Sequence, residues 1–269
     1  MQFTSFYGLA FNPFTKEGAG KEQPYESRDF KSAKDVLKYL VDAKGIGTVT
    51  AEPGMGKTYA LHRFMNELSD NTATKRYIGL STVTVGDFYT QLCDELGVEA
   101  KGGKSRRFNA IQDQILYLYK EKKKPLVLVI DEAQYLNQSI LNDLKMLMNF
   151  VYDSFNCFTF ILCGEPALNA TMSRRINDAL YQRLTAHYEF SGLSDEEGIE
   201  YIKHKISGAG GSESIIEGTA IVTINTLCEH NPRKIDLVMD NALKVGYLQR
   251  AETINNDIVM AAFNERKLS

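Results

Sequence analysis

The sequence has few cysteines, few histidines and no excess of positive charge. Its four cysteines, Cys93, Cys157, Cys163 and Cys228, form no Cys-x-x-Cys pair, and its four histidines lack metal-ligand spacing. These residues complete no zinc site, and we expect a reduced, metal-free cytosolic protein. The net charge is −3, so any binding of nucleic acid requires a local basic patch or an assembly.

Long apolar runs are also absent. The run at residues 126–130 is far shorter than the roughly 20 residues that a membrane span requires. The N-terminus has no basic segment followed by a long apolar stretch. We therefore expect a protein that is neither secreted nor membrane-spanning. With 6 Pro, 20 Gly and 43% hydrophobic residues in 269, the composition is that of a globular chain with one large domain, or a core domain and an appendage.

Short apolar segments alternate with amphipathic helices through the first two thirds of the chain. The predicted strands are 47–51, 76–80, 126–130, 157–163 and an edge strand after Arg183, and the predicted helices include 29–41, 58–68, 85–96 and 108–122. This alternation predicts an α/β fold with a parallel sheet flanked by helices. After Gly192 only helical patterns follow. We expect an α/β core at residues 1–191, with an N-terminal segment at 1–28, and a small all-helical lid at 192–269.

A glycine-rich turn joins the first strand to the next helix. It reads Ala51-Glu52-Pro53-Gly54-Met55-Gly56-Lys57-Thr58, in the context that a phosphate-binding loop requires. Its glycines let backbone N–H groups approach a phosphate, Lys57 can reach the β- and γ-phosphates, and Thr58 can ligate Mg²⁺. Ala51 stands where the usual pattern has its first glycine, which is tolerable if its φ is negative. The alternative is an ordinary strand-to-helix turn. The residues expected to bind ATP here are Pro53, Gly54, Met55, Gly56, Lys57, Thr58 and Tyr59.

Two carboxylates, Asp131 and Glu132, follow the apolar strand LVLVI. Ligands bind at the carboxyl edge of parallel sheets, so both acids are expected near the glycine-rich turn. Asp131 would hold Mg²⁺ through a water, and Glu132 would orient or deprotonate the water that attacks the γ-phosphate. The alternative is a solvated pair of acids at a strand end.

Two arginines are weaker candidates from the residues alone. Arg183 follows a helical stretch and precedes a short strand, where it could act as an arginine finger on a neighbouring subunit's γ-phosphate. Arg233 follows Asn231-Pro232 at the start of a lid helix, from which it could reach a nucleotide. For each of them an exposed arginine without a role is the alternative.

Taken together, these motifs resemble AAA+ ATPases of the ExeA and TniB kind. The resemblance is carried by the GxxGKT-type loop, LVLVIDEAQ at 126–134, LCGEPAL at 162–168, Gln182-Arg183 and Asn231-Pro232-Arg233. It implies an AAA+ P-loop NTPase core with Arg183 as the arginine finger and Arg233 as a sensor arginine on the lid. It also places Glu165 at the sensor 1 position, where the family commonly has an amide, whereas Arg233 is at the sensor 2 position.

The N-terminal residues add to this resemblance. Tyr7-Gly8-Leu9 and Asn12-Pro13-Phe14 are similar to a family signature near the adenine, which implies that Pro13 and Phe14 bind the nucleotide.

The resemblance implies one of two functions. Secretion ATPases of this family typically continue into a membrane segment and a wall-binding domain, and from this sequence we expect neither. We therefore expect it to be most similar to the TniB, TnsC and MuB transposition regulators, as a slow, assembly-stimulated ATPase. The implied partners are other copies of the chain in a ring or filament, double-stranded DNA and a transposase. The alternatives are a cytosolic ATPase acting on a protein, as a secretion-like motor or in signalling, and a nucleotide-binding scaffold without turnover.

A basic, glycine-containing loop at 101–107 is the candidate DNA contact. It carries Lys101, Lys104, Arg106 and Arg107, and Thr82 and Thr84 could add neutral phosphate contacts. In a filament, one or two cations from each subunit would bind DNA phosphates, and together they would release many counterions from the DNA. No motif reads base edges, so we expect little sequence specificity. The alternative is a solvated loop.

Overall fold

The structure is a computed structural model that describes residues 2–18, 21, 23–79, 84–99, 101–150 and 155–267. The chain forms two compact units. The sheet unit comprises Ser32–Pro53 and Lys57–Phe190, and the helical unit comprises Met1–Lys31, Gly54–Gly56 and Ser191–Ser269. The division into a core and a lid at residues 191 and 192 stays a prediction.

Five parallel strands form the centre of the sheet unit. They are β1 (Ile46–Thr50), β2 (Thr74–Ile78), β3 (Leu126–Ile130), β4 (Thr159–Gly164) and β5 (Leu184–Glu189). Their order across the sheet is β2-β3-β4-β1-β5, and every pairing is parallel. β1, β3 and β4 are buried along their whole length, as expected for central strands of a parallel sheet. The predicted parallel α/β sheet is confirmed.

Helices alternate with these strands and then continue to the end of the described chain. In chain order they are α1 (Gln2–Phe6), α2 (Arg28–Ala43), α3 (Lys57–Glu67), α4 (Val85–Leu96), α5 (Lys104–Lys120), α6 (Gln138–Leu147), α7 (Ala167–Met172), α8 (Asp178–Tyr181), α9 (Asp195–Gly208), α10 (Gly218–Leu227), α11 (Pro232–Leu248) and α12 (Asn256–Lys267). Single 3-10 turns lie at Ala133–Tyr135, Arg175–Asn177 and Glu213–Ile215. No helix among the described residues is long and apolar enough to cross a membrane.

Side-chain caps start several of these helices. At α4 the hydroxyl of Thr84 accepts a hydrogen bond from the N–H of Asp87. At α9 Ser194 and Glu197 form a reciprocal capping box, and at α11 Asn231 caps the first turn. Each such cap contributes about 1 kcal/mol.

The predicted boundary between the basic loop and the helix that follows it is wrong. The sequence predicts a loop over 101–107, whereas α5 begins at Lys104, so Lys104, Arg106 and Arg107 lie on its first turn. The N-cap is Gly103, which makes no side-chain cap, and the first turn holds no acidic residue. Basic residues at a helix start also oppose the helix dipole. The usual signals of a helix start are therefore missing from this sequence.

Each unit has its own apolar core. In the sheet unit the strands pack with α4, α5 and α6, burying side chains such as Phe88, Ile115 and Phe160. In the helical unit α9 to α12 pack with the N-terminal segment, where Tyr7 and Phe14 are buried. The described residues after 192 are helical and form no strand, as predicted.

Candidate functional site

The glycine-rich turn between β1 and α3 contains two glycines with positive φ. Gly54 has φ +94° and Gly56 has φ +92°, a region that other residues rarely adopt. A Cβ on Gly54 would lie 2.7 Å from both Asn231 Oδ1 and Arg233 Cβ, whereas one on Gly56 would meet none of the described residues within 4 Å. Conformation and space both require glycine at position 54, and conformation alone requires it at position 56.

The residues flanking the two glycines are ordinary in conformation. Ala51 is buried, donates its N–H to the carbonyl of Gly164 at 3.1 Å, and is not among the residues with positive φ. The condition under which alanine is tolerated there is therefore met. Pro53 and Tyr59 are exposed, and Met55 is half-buried.

The first two residues of α3 lie beside the acidic end of β3. Lys57 Nζ is 3.5 Å from Asp131 Oδ1 and 3.9 Å from Glu132 Oε1. The hydroxyl of Thr58 donates to Asp131 Oδ2 at 3.4 Å. The side chains of Lys57 and Asp131 are 9% and 6% exposed, whereas that of Glu132 is 44% exposed. The structure thus brings together the four residues that the sequence assigns to phosphate, metal and attacking water.

Asp131 is held in its ionised form. Burial opposes ionisation, but hydrogen bonds from the Tyr77 hydroxyl and the Glu132 N–H, together with the charge of Lys57, outweigh it. The pKa of Asp131 is therefore below its usual range, and the residue is an anion at neutral pH.

Two residues that contact Asp131 carry no recognisable signal in the sequence. Tyr77, on β2, donates its hydroxyl to Asp131 Oδ2 at 2.6 Å, and its ring lies 5.0 Å from that of His62. Burial, followed by the hydrogen bond to Asp131, raises the pKa of Tyr77 above its usual range. Burial, followed by the Asp131 charge, likewise raises the pKa of the Cys163 thiol on β4. Both residues lie near the carboxyl ends of strands that neighbour β3, a signal that becomes usable only once the strand order is known.

Gln134 is a third residue whose role is not evident from the sequence. Its Nε2 donates to Glu132 Oε2 at 2.8 Å, and its Oε1 accepts from the N–H of Glu165 at 3.1 Å. Glu132 itself has φ +52° and ψ +34°, a left-handed conformation that is uncommon outside glycine and concentrated at functional sites. Glu165 follows the last residue of β4 and is half-buried, and its role as a sensor stays a prediction.

Arg183 lies at the amino end of β5. It precedes Leu184, which pairs with Ile46 at the start of β1, and its Nη1 donates to the carbonyl of Lys145 at 3.4 Å. Asp131 follows the carboxyl end of β3, at the opposite edge of this parallel sheet. The five or six residues of a strand span about 17–20 Å, more than the reach of an arginine side chain. Arg183 therefore does not reach the acidic strand end of its own chain.

Arg233 is placed against the glycine-rich turn within the helical unit. Its N–H is shared between Asn231 Oδ1 at 3.0 Å and the carbonyl of Gly54 at 3.4 Å. In the same unit Phe14 is 4% exposed, and Lys205 Nζ lies 5.3 Å from its ring centre. Pro13 precedes it and is also buried.

Two of the basic residues proposed for DNA binding bond to other parts of the chain. Lys104 Nζ lies 2.7 Å from the carboxylate of Asp143 on α6. Arg107 Nη1 donates to the carbonyl of Gly86 and the hydroxyl of Thr90, each at 3.1 Å. These contacts join α5 to α6 and α4, which gives both cations a structural role.

The other candidate DNA contacts differ in their surroundings. Lys101 Nζ lies 3.0 Å from Glu99 Oε1 in an exposed pair, and Arg106 is exposed on the first turn of α5. Thr84 serves as the N-cap of α4. Thr82 lies outside the described residues.

Comparisons with known proteins agree with this architecture. Residues 41–172 match the family model described as "AAA domain". The chain is 29% identical over 264 residues to General secretion pathway protein A of Aeromonas hydrophila, covering 97% of this chain and 48% of that protein. It thus spans about half the length of this curated relative.

Two solved structures share the fold at low sequence identity. The ORC2 protein of Aeropyrum pernix matches with a TM-score of 0.66 and 14% identity, over 94% of this chain and 71% of that one. The RuvB Holliday junction branch migration motor of Thermotoga maritima matches with a TM-score of 0.57 and 17% identity, over 94% and 72%. Together with the family match, they confirm the predicted AAA+ P-loop NTPase fold.

Proposed function

We propose that this chain, an AAA+ P-loop NTPase by fold, binds ATP with Mg²⁺ and hydrolyses it to ADP and phosphate. The observation that carries the proposal is the grouping of Lys57 and Thr58 with Asp131 and Glu132 at the carboxyl end of β3. A buried ammonium group, a hydroxyl group and two carboxylates are the groups that phosphoryl transfer to water requires at such an edge.

The residues divide between holding the nucleotide and holding the metal. Lys57 would bind the β- and γ-phosphates, assisted by the amino end of α3 and the N–H groups of the glycine-rich turn. Thr58 and Asp131 would hold Mg²⁺, which suits a hydroxyl and an ionised carboxylate 3.4 Å apart. When bound, Mg²⁺ neutralises charge on the phosphate oxygens.

Glu132 is the proposed general base. Its carboxylate is the more exposed of the two acids, so a water molecule can reach it. The water oxygen would attack the γ-phosphorus as the bond to ADP breaks, and the proton would pass to the Glu132 carboxylate.

Arg183 is proposed to act on a neighbouring subunit. Its place at the amino end of β5 keeps it away from the acidic strand end of its own chain, whereas a second copy can present its own arginine to that site. This proposal requires a homo-oligomer, a ring or a filament. Four further residues are proposed to contact the nucleotide. The sensor residues are Arg233 and Glu165, and the residues near the adenine are Pro13 and Phe14.

For the partner we favour a protein over DNA. Nearly the whole chain aligns with General secretion pathway protein A, and Lys104 and Arg107 are bonded to the chain's own acceptors. The position of the last residue carries no weight, because the chain spans about half of that relative. A transposition regulator that binds double-stranded DNA and a transposase is the second candidate, supported by the exposed cations Lys101 and Arg106.

Two assays test these proposals separately. Phosphate release from ATP that requires Mg²⁺ and is abolished by Glu132→Gln supports the ATPase, whereas nucleotide binding without release supports the scaffold. Filter binding of duplex DNA with and without a slowly hydrolysed ATP analogue tests the second candidate. ATP-dependent retention of DNA that Lys101→Ala with Arg106→Ala abolishes would favour it, and no retention at low salt would favour a protein partner.

A further inference from the structure

The side-chain amide of Gln134 is bonded at both ends. Its Oε1 accepts from the backbone N–H of Glu165 at 3.1 Å, and its Nε2 donates to Glu132 Oε2 at 2.8 Å. The bond to Glu165 fixes which way the amide faces, because a backbone N–H only donates and the acceptor end must therefore lie against it. The donor end then faces the Glu132 carboxylate.

The room for this amide depends on a glycine. A Cβ on Gly164 would lie 2.5 Å from Gln134 Oε1, well inside van der Waals contact. Gly164 does not have a positive φ, so its backbone conformation does not require glycine. Glycine instead leaves room for the Gln134 amide, and the backbone nitrogen of Gln134 would also lie 3.3 Å from that Cβ.

The bond from Gln134 fixes the position of one oxygen of the Glu132 carboxylate. The Glu132 side chain is 44% exposed, so solvent does little to fix its torsion angles. With Oε2 held by Gln134, Oε1 lies on the side of Lys57, whose Nζ is 3.9 Å away. The carboxylate is thereby turned toward the residue that would bind the γ-phosphate.

We propose that Gln134 is a positioning residue for Glu132, and that it couples the orientation of this general base to the Gly164-Glu165 turn after β4. This inference rests on the proposed ATPase function. A shift of the Gly164-Glu165 turn would move the Gln134 amide, and the amide would in turn reorient the Glu132 carboxylate that receives the proton. Loss of Gln134 should therefore slow the chemical step and leave nucleotide binding intact.

The experiment compares four single variants of the full chain, and then combines Gln134→Ala with Gly164→Ala and with Glu132→Gln. Gln134→Ala removes both bonds, and Gln134→Glu keeps the acceptor for the Glu165 N–H but loses the donor to Glu132. Gln138→Ala is the matched control, because Gln138 is also half-buried and also makes two side-chain hydrogen bonds. Gly164→Ala is expected to displace the amide. Mg²⁺-dependent ATP binding, kcat, KM and thermal unfolding are measured for each.

We expect Gln134→Ala and Gln134→Glu to lower kcat about 10- to 100-fold, part of what a general base contributes, with ATP affinity within about twofold of the unaltered protein. Gln138→Ala should leave kcat unchanged. Gly164→Ala should lower kcat in the unaltered chain and have a smaller effect in the Gln134→Ala background. In single turnover, Gln134→Ala should add nothing to Glu132→Gln, because both act through one carboxylate.

Three results would overturn the inference. Near-normal kcat in Gln134→Glu would show that the donor to Glu132 is unimportant. Additive losses in the double variant with Glu132→Gln would show that Gln134 acts elsewhere, and a kcat loss matched by lost ATP binding would indicate a structural role. If the unaltered protein binds ATP but releases no phosphate, the proposed function fails and this inference fails with it. If it hydrolyses ATP and only the Gln134 results disagree, the inference alone fails.

Discussion

The hydroxyl group of Tyr77 donates a 2.6 Å hydrogen bond to Asp131 Oδ2, the oxygen that also accepts from Thr58. Asp131 is 4% exposed, so its charge has lost most of its contact with water. The Tyr77 hydroxyl, on the neighbouring strand β2, takes the place of one of the lost water molecules. This bond therefore stabilises the anion that we propose as a metal ligand.

Tyr77→Phe should destabilise the protein by about 1.5–3 kcal/mol at neutral pH, the range for a hydrogen bond to a charged group. The ring remains to pack on His62, so the loss isolates the hydroxyl group. Urea unfolding of both proteins at pH 7 measures the difference. Equal unfolding midpoints would contradict the proposed role of the bond.

The same pair predicts a direction of pH dependence. The pKa of folded Asp131 is depressed, so its contribution to stability is fully present above the unfolded pKa and is lost as pH falls through the folded pKa. Without Tyr77 that depression is smaller. The stability difference between the unaltered protein and Tyr77→Phe should therefore shrink as pH falls below about 3.9, the ordinary aspartate value. A difference that grows on acidification would contradict this sign.

Alanine at Gly54 and alanine at Gly56 should differ in their cost. Both positions have φ above +90°, so each variant carries backbone strain of roughly 1–2 kcal/mol. Only at Gly54 does the new Cβ collide, with Asn231 and Arg233. Thermal unfolding without nucleotide should rank Gly54→Ala as the less stable. The reverse ranking would show that the collision is relieved without cost.

Lys205→Met should destabilise the helical unit strongly. Lys205 is 3% exposed, and its Nζ lies 2.8 and 2.9 Å from the two carboxylate oxygens of Asp236. Removing one partner of a buried pair typically costs about 3–5 kcal/mol, and because the Asp236 side chain is 23% exposed we expect the lower end of that range. The control is Lys203→Met, whose exposed pair with Glu213 is worth about 0–1 kcal/mol. Urea unfolding of both variants checks the prediction, which similar losses would contradict.

Much of the candidate site could be predicted because its residues are adjacent in the chain. Lys57 and Thr58 belong to one turn, and Asp131 and Glu132 to one strand end. The parallel sheet then brings the two motifs to one edge, which the alternation of strands and helices already implies.

Tyr77 and Gln134 could not be predicted in the same way. Tyr77 contacts Asp131 because β2 happens to lie next to β3, and nothing local in the sequence specifies that order. Gln134 acquires its contacts from the end of β4, a distant segment. The start of α5 at Lys104 could not be predicted because Gly103 offers no side-chain cap and the basic first turn opposes the helix dipole.

Arg183→Ala should bind ATP but lose hydrolysis. In the unaltered protein Arg183 is proposed to act at the ATP site of the neighbouring subunit, so the variant can fill its own site but cannot complete the next one. Glu132→Gln should also bind ATP, hydrolyse poorly and accumulate assemblies. Mixing the two inactive variants creates interfaces with an intact base on one side and an intact arginine on the other. Phosphate release should therefore return on mixing. Full activity of Arg183→Ala alone would contradict a finger in trans.

The central claim is that a nucleoside triphosphate binds where Lys57 faces Asp131 and Glu132. Isothermal titration calorimetry of ATP into the purified chain, with and without Mg²⁺, tests it most directly. We predict saturable, Mg²⁺-dependent binding by the unaltered protein and by Glu132→Gln, and none by Lys57→Ala. Absence of binding by the unaltered protein, or equal binding by Lys57→Ala, would contradict the account.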